Sequence, residues 1–190
     1  MVIVKTFFNE VLLVKPNIFN DFRGSFRENY RKKTFFTKAK RKINFCQDNL
    51  TYSKKGVLRG LHYQLHPYSQ SKLVSVIRGK VLDVVVDIRK GSPTFGKHFS
   101  QELSSKNNLQ LFVPRGFAHG FITLSKFSIF HYKVDQYYNS KNERNISPED
   151  PELDIDWMLP ECEWIQSEKD KKKSFLKNAE LFEFNKDLYA

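Results

Sequence analysis

The sequence predicts a mainly all-β protein, an antiparallel sandwich or barrel, and two observations carry that reading. Short apolar runs follow one another closely through the middle of the chain, each with the length and β-branched content of a strand. The breaks between them, Gly91-Ser92-Pro93, Lys106-Asn107-Asn108 and Pro114-Arg115-Gly116, have ordinary turn chemistry. Many closely spaced short strands are the pattern of antiparallel sandwiches and barrels.

Taken in order, the segment from Ser25 to Ile43 has room for a short helix. Lys72–Arg78 and Val81–Ile88 are the strongest strand signals, and Gly79-Lys80 between them has the form of a hairpin connection. Phe95–Leu103, Leu109–Val113, His119–Leu124 and Ser128–Val134 read as further strands. The last part, roughly Lys169 to Tyr189, has helical composition and is expected to pack outside the sheets. No internal repeat and no linker divides the chain. The expectation is a single domain over residues 1–190, with a core over roughly 16–165 and a helical segment over roughly 169–189.

Composition narrows the function classes. A hydrophobic fraction of 40% with 15% aromatics is that of a folded chain rather than a disordered one. The two cysteines, Cys46 and Cys162, form no CxxC pair and suit a reducing compartment. The N-terminus does not read as a signal peptide, and no run approaches the ~18 apolar residues of a membrane span. A cytoplasmic protein without membrane contact is expected. The formal charge of +11 comes largely from clusters at Arg31–Lys42 and Lys169–Lys173. No nucleic-acid-binding motif accompanies it, so a solvated basic surface is expected rather than a nucleic-acid partner. Such a field would still help capture a small anion.

One stretch stands out from this background. Gly56-Val57-Leu58-Arg59-Gly60-Leu61-His62-Tyr63-Gln64 sets an arginine and a histidine three residues apart in an apolar, strand-like run. Polar groups are costly to bury without partners, so the pair points to a pocket for an anionic substrate. Strict strand alternation would send Arg59 and His62 to opposite faces. For both to serve one pocket the chain must bulge, and Gly60 is the natural place.

Pro114-Arg115-Gly116-Phe117-Ala118-His119 has the form of the second motif of cupins, a jelly-roll family. Metal-binding cupins usually add an H-x-H pair, and here the earlier strand offers only His62-Tyr63-Gln64, with His66 in a loop before Pro67. A catalytic metal generally takes about three protein ligands, so no metal is expected.

A longer series is more specific. Asp21-Phe22-Arg23-Gly24-Ser25-Phe26-Arg27-Glu28, Gln47-Asp48-Asn49, Gly56 to Gln64, and Gln70-Ser71-Lys72-Leu73-Val74 follow in order. After them come Asp83 to Arg89, Ser92-Pro93-Thr94-Phe95-Gly96, Gly116-Phe117-Ala118-His119-Gly120-Phe121, Tyr132-Lys133 and Ser167-Glu168-Lys169-Asp170. In these motifs the chain resembles the dTDP-4-dehydrorhamnose 3,5-epimerases, cupin-fold sugar-nucleotide epimerases of dTDP-rhamnose synthesis. The resemblance implies a cupin-type antiparallel jelly roll with a few peripheral helices, no cofactor, a homodimer with N-terminal strands crossing the interface, and a dTDP-linked 4-keto-6-deoxy sugar as substrate.

It also implies roles. The C4 ketone of such a sugar acidifies the hydrogens at C3 and C5, and inversion needs a base, enolate stabilisation and reprotonation from the other face. His62 matches the base, a residue type suited to proton transfer near neutral pH. Asp170 matches its orienting carboxylate, Lys72 the cation beside the enolate oxygen, and Tyr132 the acid on the opposite face. Arg23 and Arg59 match diphosphate clamps, for which a planar donor fork is suited. Gln47 and Asn49 match pyrimidine-binding positions, and Phe26 and Tyr138 stacking surfaces. Glu28, His119, Glu143 and Lys169 complete the binding set. Asp83, in a valine-rich strand, is expected to be buried and to pair with His119. The alternatives that keep much of this set are an epimerase inverting one centre only, an epimerase of another nucleotide-linked sugar or heptose, and a non-catalytic sugar-nucleotide-binding cupin.

Overall fold

The computed structural model describes residues 1–190. Two antiparallel sheets face each other. The chain runs through β1 (Val2–Phe7), β2 (Val11–Lys15), β3 (Ile18–Asp21) and β4 (Gly24–Arg27), then a single α-helix, α1 (Lys32–Ala39). It continues through β5 (Gln47–Lys54), β6 (Leu58–Gln64), β7 (Lys72–Arg78), β8 (Lys80–Asp87), β9 (Arg89–Lys90) and β10 (His98–Ser104). The remaining strands are β11 (Gln110–Val113), β12 (Phe117–Thr123), β13 (Phe127–Val134), β14 (Glu143–Asn145) and β15 (Phe182–Glu183). One sheet has the order β1-β2-β11-β7-β13-β5 and the other β10-β8-β12-β6-β14. From β5 to β8, and again from β10 to β14, consecutive strands alternate between the two sheets, as in the expected jelly roll.

Alternation within strands decides what lies between the sheets. On β8, Val81 and Val85 pack into the inner core with Val74, Val76, Phe121 and Phe130, while Leu82, Val84 and Val86 face outward. That outward face is not solvated. Ile146, Leu153, Trp157, Leu176, Phe182 and Leu188 of the C-terminal third cover it. With both faces covered, β8 and β12 are buried along almost their whole length and show no clean apolar–polar alternation. On the other sheet Phe35 of α1 packs with Leu12, Val14, Leu73 and Phe112.

Two expectations are corrected here. Gly79-Lys80 does not close a hairpin, because β7 and β8 lie in different sheets. The chain turns a corner at Gly79, whose φ is +86° and where a Cβ would stand 2.2 Å from the Phe127 carbonyl oxygen. Glycine is required there for both reasons. The apolar runs on either side look alike whether they pair or cross, so period alone misses the corner. The C-terminal stretch is not a helical segment either. Apart from a 3₁₀ turn at Leu176–Asn178 and the two-residue β15, which pairs in parallel with β9, it is turns and irregular chain. Its buried anchors Leu176, Phe182 and Leu188 are six residues apart. On a helix that spacing would rotate each anchor by about 240° from the last, scattering them around the axis. Tertiary packing overrides the helical composition.

Candidate active site

The cavity opens between the two sheets, with a volume of about 250 Å³. The inward positions of β6 build one wall. Leu58, Leu61 and Tyr63 point outward into the apolar layer, so Arg59 and His62 both turn inward despite standing three apart. A bulge makes this possible: His62 pairs with His119 and Arg59 with Phe121, leaving Gly60 and Leu61 opposite Gly120 alone. Gly60 has φ +124°, and a Cβ on it would lie 2.5 Å from Gly120 Cα. The bulge is where the sequence pattern demanded it.

His62 is held from behind. Its Nε2 stands 2.5 Å from Asp170 Oδ1, and Asp170 Oδ2 accepts a hydrogen bond from Ser167 Oγ at 2.8 Å. Burial would raise the Asp170 carboxyl, but hydrogen bonds and charge from His62 outweigh it and hold the carboxyl below its usual range. Asp170 is therefore an anion at neutral pH and takes the Nε2 proton as a hydrogen bond. Nδ1 is left as the basic nitrogen.

His119, the cross-strand neighbour of His62, has a carboxylate of its own. Its Nε2 lies 3.0 Å from both oxygens of Asp83, the pairing expected from the sequence. Burial lowers His119 and raises Asp83, and their mutual attraction only partly restores each. Two neighbouring imidazoles are thus made different, one braced by an anion at the cavity edge and the other buried.

The six-stranded sheet supplies the opposite wall. Lys72, at the start of β7, and Tyr132, on β13, both line the cavity. Lys72 Nζ reaches the His62 carbonyl at 3.4 Å. Burial pushes its ammonium down to about 8, with Asp83 and Glu143 opposing. Burial pushes the Tyr132 phenol up, so it keeps its proton well beyond neutrality. Phe121 and Phe130 stack at 4.0 Å beside them. At the mouth, Tyr138 Oη donates to Glu143 Oε2 at 2.7 Å, and Lys169 forms an ion pair with the same carboxylate. Arg59 Nε donates to Ser53 Oγ at 3.2 Å.

Of the residues singled out in the sequence, the chain brings His62, Asp170, Lys72, Tyr132, Arg59, His119, Tyr138, Glu143 and Lys169 to this one cavity or its rim. Gln47 and Asn49 do not line it. They continue the face of β5 that carries Thr51, which does, and Gln47 Nε2 donates to Asn49 Oδ1 at 2.8 Å. Arg23, Phe26 and Glu28 stand apart on or just after the β3–β4 hairpin, bonded only to near neighbours. Arg23 pairs with Asp21 and Glu28 with Arg31. Sequence reasoning missed Thr51, Tyr63, Gln64, Gln70, Phe121 and Phe130 in the lining. Thr51 and Gln64 could have been found by stepping two residues from Asn49 and His62 along their strands. The stacked phenylalanines carry no such signal.

Comparisons with known proteins place the chain in a family. The sequence model of the dTDP-4-dehydrorhamnose 3,5-epimerase family matches residues 5–178. The chain is 45% identical over 186 residues to the dTDP-4-dehydrorhamnose 3,5-epimerase of Salmonella typhimurium, covering 96% of this chain and 100% of that one. Among solved structures it is similar to a 3,5-epimerase of Legionella pneumophila in complex with dTDP-4-keto-L-rhamnose. The TM-score is 0.93 at 42% identity, covering 97% of this chain and 99% of that one. A 3'-monoepimerase from Streptomyces bikiniensis in complex with dTDP-quinovose is more distant, with a TM-score of 0.82 at 30% identity over 89% of this chain and 85% of that one.

Proposed function

The chain belongs to the dTDP-4-dehydrorhamnose 3,5-epimerase family, and from that premise we propose how its own residues carry out the reaction. It is an isomerase that converts dTDP-4-dehydro-6-deoxy-D-glucose to dTDP-4-dehydro-L-rhamnose. His62 Nδ1 removes the proton at the carbon being inverted, and the electron pair moves onto the C4 oxygen. The Lys72 ammonium stabilises that enolate oxygen, a contribution of roughly 3–4 kcal/mol for a donor in such a site. Tyr132 returns a proton to the other face. Each inversion leaves His62 protonated and Tyr132 ionised, and exchange with solvent resets both.

The observation that carries this reading is the placing of base and acid. His62 stands on the five-stranded sheet and Tyr132 on the six-stranded sheet, both lining one cavity. A sugar bound between the sheets would present opposite faces to them. Asp170 serves as the orienting carboxylate, and Arg59 as a diphosphate contact, with Tyr138, Glu143, Lys169 and His119 completing the sugar-nucleotide site. Gln47 and Asn49 extend it along β5 toward the base.

Arg23, Phe26 and Glu28 belong to the same site through a homodimer in which the β3–β4 hairpin crosses to a second copy. Its exposed aromatics support this: Phe22 is 98% exposed and Phe26 67%. Leu50 and Tyr52 extend an apolar exposed face along β5. Inversion of both centres is favoured over one because identity to double epimerases exceeds that to the monoepimerase. The test is incubation with dTDP-4-keto-6-deoxyglucose in deuterated water, following label by NMR. Label at C3 and C5 supports the double inversion. Label at one carbon selects a single-centre epimerase, and none refutes the assignment for this substrate.

A further inference from the structure

The segment that follows residue 178, beyond the span the family model matches, runs back across the fold to the strand that carries Lys72. β15 pairs with β9, Leu188 is buried against the apolar layer, and Tyr189 bridges the two outer clusters. The Tyr189 ring lies 4.2 Å from the Arg41 guanidinium and 4.8 Å from that of Arg115. Its hydroxyl accepts a hydrogen bond from Arg115 N at 3.1 Å and stands 2.7 Å from Ser71 Oγ. Ser71 is the residue immediately before Lys72.

Every polar group of Ser71 is engaged. Its N–H donates to Asp135 Oδ1 at 2.6 Å, its carbonyl accepts from Asp135 N at 3.3 Å, and its hydroxyl meets Tyr189. Arg115 closes the ring, with Nε on Asp135 Oδ2 at 3.2 Å and Nη1 on the Leu188 carbonyl at 2.8 Å. The cluster joins three strand ends. Lys72 is the first residue of β7, and its ladder partners Val113 and Val134 are the last residues of β11 and β13. Strand ends open first, because few contacts hold them. Here the end carries the cation that reaches into the cavity.

We propose that residues 182–190 form a strap that positions Lys72, with Tyr189 acting through Ser71. The strap rests on the reading of Lys72 as the enolate-stabilising cation and adds what keeps it in place. Burial raises the Tyr189 phenol, so the tie persists through the working pH range. Lys72 itself faces Asp83 of β8, Glu143 of β14 and Lys169 of the C-terminal loop. A shift of about an ångström there is worth up to about a hundredfold in rate.

The experiment is Tyr189→Phe, Ser71→Ala and the double variant, with Lys72→Met alongside. Tyr189→Phe keeps the ring between the two guanidiniums and removes only the hydroxyl. Each single change should lower kcat roughly tenfold with KM within about twofold, and the double should be no worse than either alone. The alkaline limb of kcat, expected where the Lys72 ammonium titrates at about 8, should also move up in pH, because a loosened Lys72 gains water. Wild-type kcat and an unshifted limb in both single variants overturn the strap, even where the melting temperature falls. So does a double variant whose losses multiply. If Lys72→Met keeps wild-type kcat, the reading of Lys72 fails and the strap with it. If Lys72→Met is inactive while Tyr189→Phe is normal, the strap alone fails.

Discussion

The cavity and the β3–β4 hairpin hold similar side chains in opposite settings. In the cavity both imidazoles are braced by carboxylates far away in sequence, His62 by Asp170 and His119 by Asp83, and Lys72 reaches across to the carbonyl of His62 on the facing sheet. On the hairpin Arg23 bonds Asp21, two residues away, and Glu28 bonds Arg31, three away. The Arg23 side chain is 76% exposed while that of Asp170 is 5% exposed. The first arrangement is fixed by folding of one chain and is ready for chemistry. In the second, Arg23 and Glu28 bond only near neighbours, although Arg27 of the same hairpin reaches Asn108, and exposed groups of this kind suit a surface that a second copy would cover. On the proposed reading the chemistry and most of the binding lie in the buried cavity, and the exposed hairpin adds Arg23, Phe26 and Glu28.

The largest expected effect breaks the cavity side of this contrast. His62→Ala should lower kcat by about 10⁴, the upper end for loss of a general base, while dTDP binding measured by calorimetry stays near wild type. Exchange of the C3 and C5 hydrogens at the wild-type rate in that variant would sink the base assignment. Lys72→Met should cost about 10²–10³ in kcat. The same lysine gives a pH signature with a definite sign. Burial depresses its ammonium to about 8, so the stabilising charge is present below that pH and lost as pH rises through it. Tyr132 does not account for such a limb, since its phenol is raised rather than lowered. Lys72→Arg, which does not titrate in this range, should be slower but lack the limb. A limb near pH 8 that survives in Lys72→Arg assigns it to another group.

The sandwich was legible from its closely spaced short strand runs, and the inward turn at Gly60 and the His119–Asp83 pair because each follows from a local conflict. A histidine and an arginine out of phase on a strand require a bulge, and a carboxylate in a valine run requires a partner. What stayed hidden depended on distant packing. Nothing within Leu176 to Leu188 announces that its anchors lie on the outer face of another sheet. β5 escaped notice because its exposed face carries Leu50 and Tyr52 while the inward face carries Gln47, Asn49 and Thr51, the reverse of the usual pattern. Phe121 and Phe130 line the cavity but read as core, and they are both.

The smallest effect tests the hairpin side. Arg23→Ala should raise KM about tenfold with kcat little changed, the loss expected for one charge-assisted contact to a diphosphate. That result alone does not say which chain's site the arginine serves. Co-expression with His62→Ala does. In a mixed dimer with crossing hairpins, one site combines the intact His62 of one chain with the intact Arg23 of the other, and the second site carries both defects. Random assembly then restores about a quarter of the wild-type sites from two impaired parents, read as a component with wild-type KM. If each hairpin serves its own chain, every site keeps one defect and no wild-type component forms. The Arg23–Asp21 pair would then be a self-contained surface contact, and the contrast between cavity and hairpin would be one of burial alone.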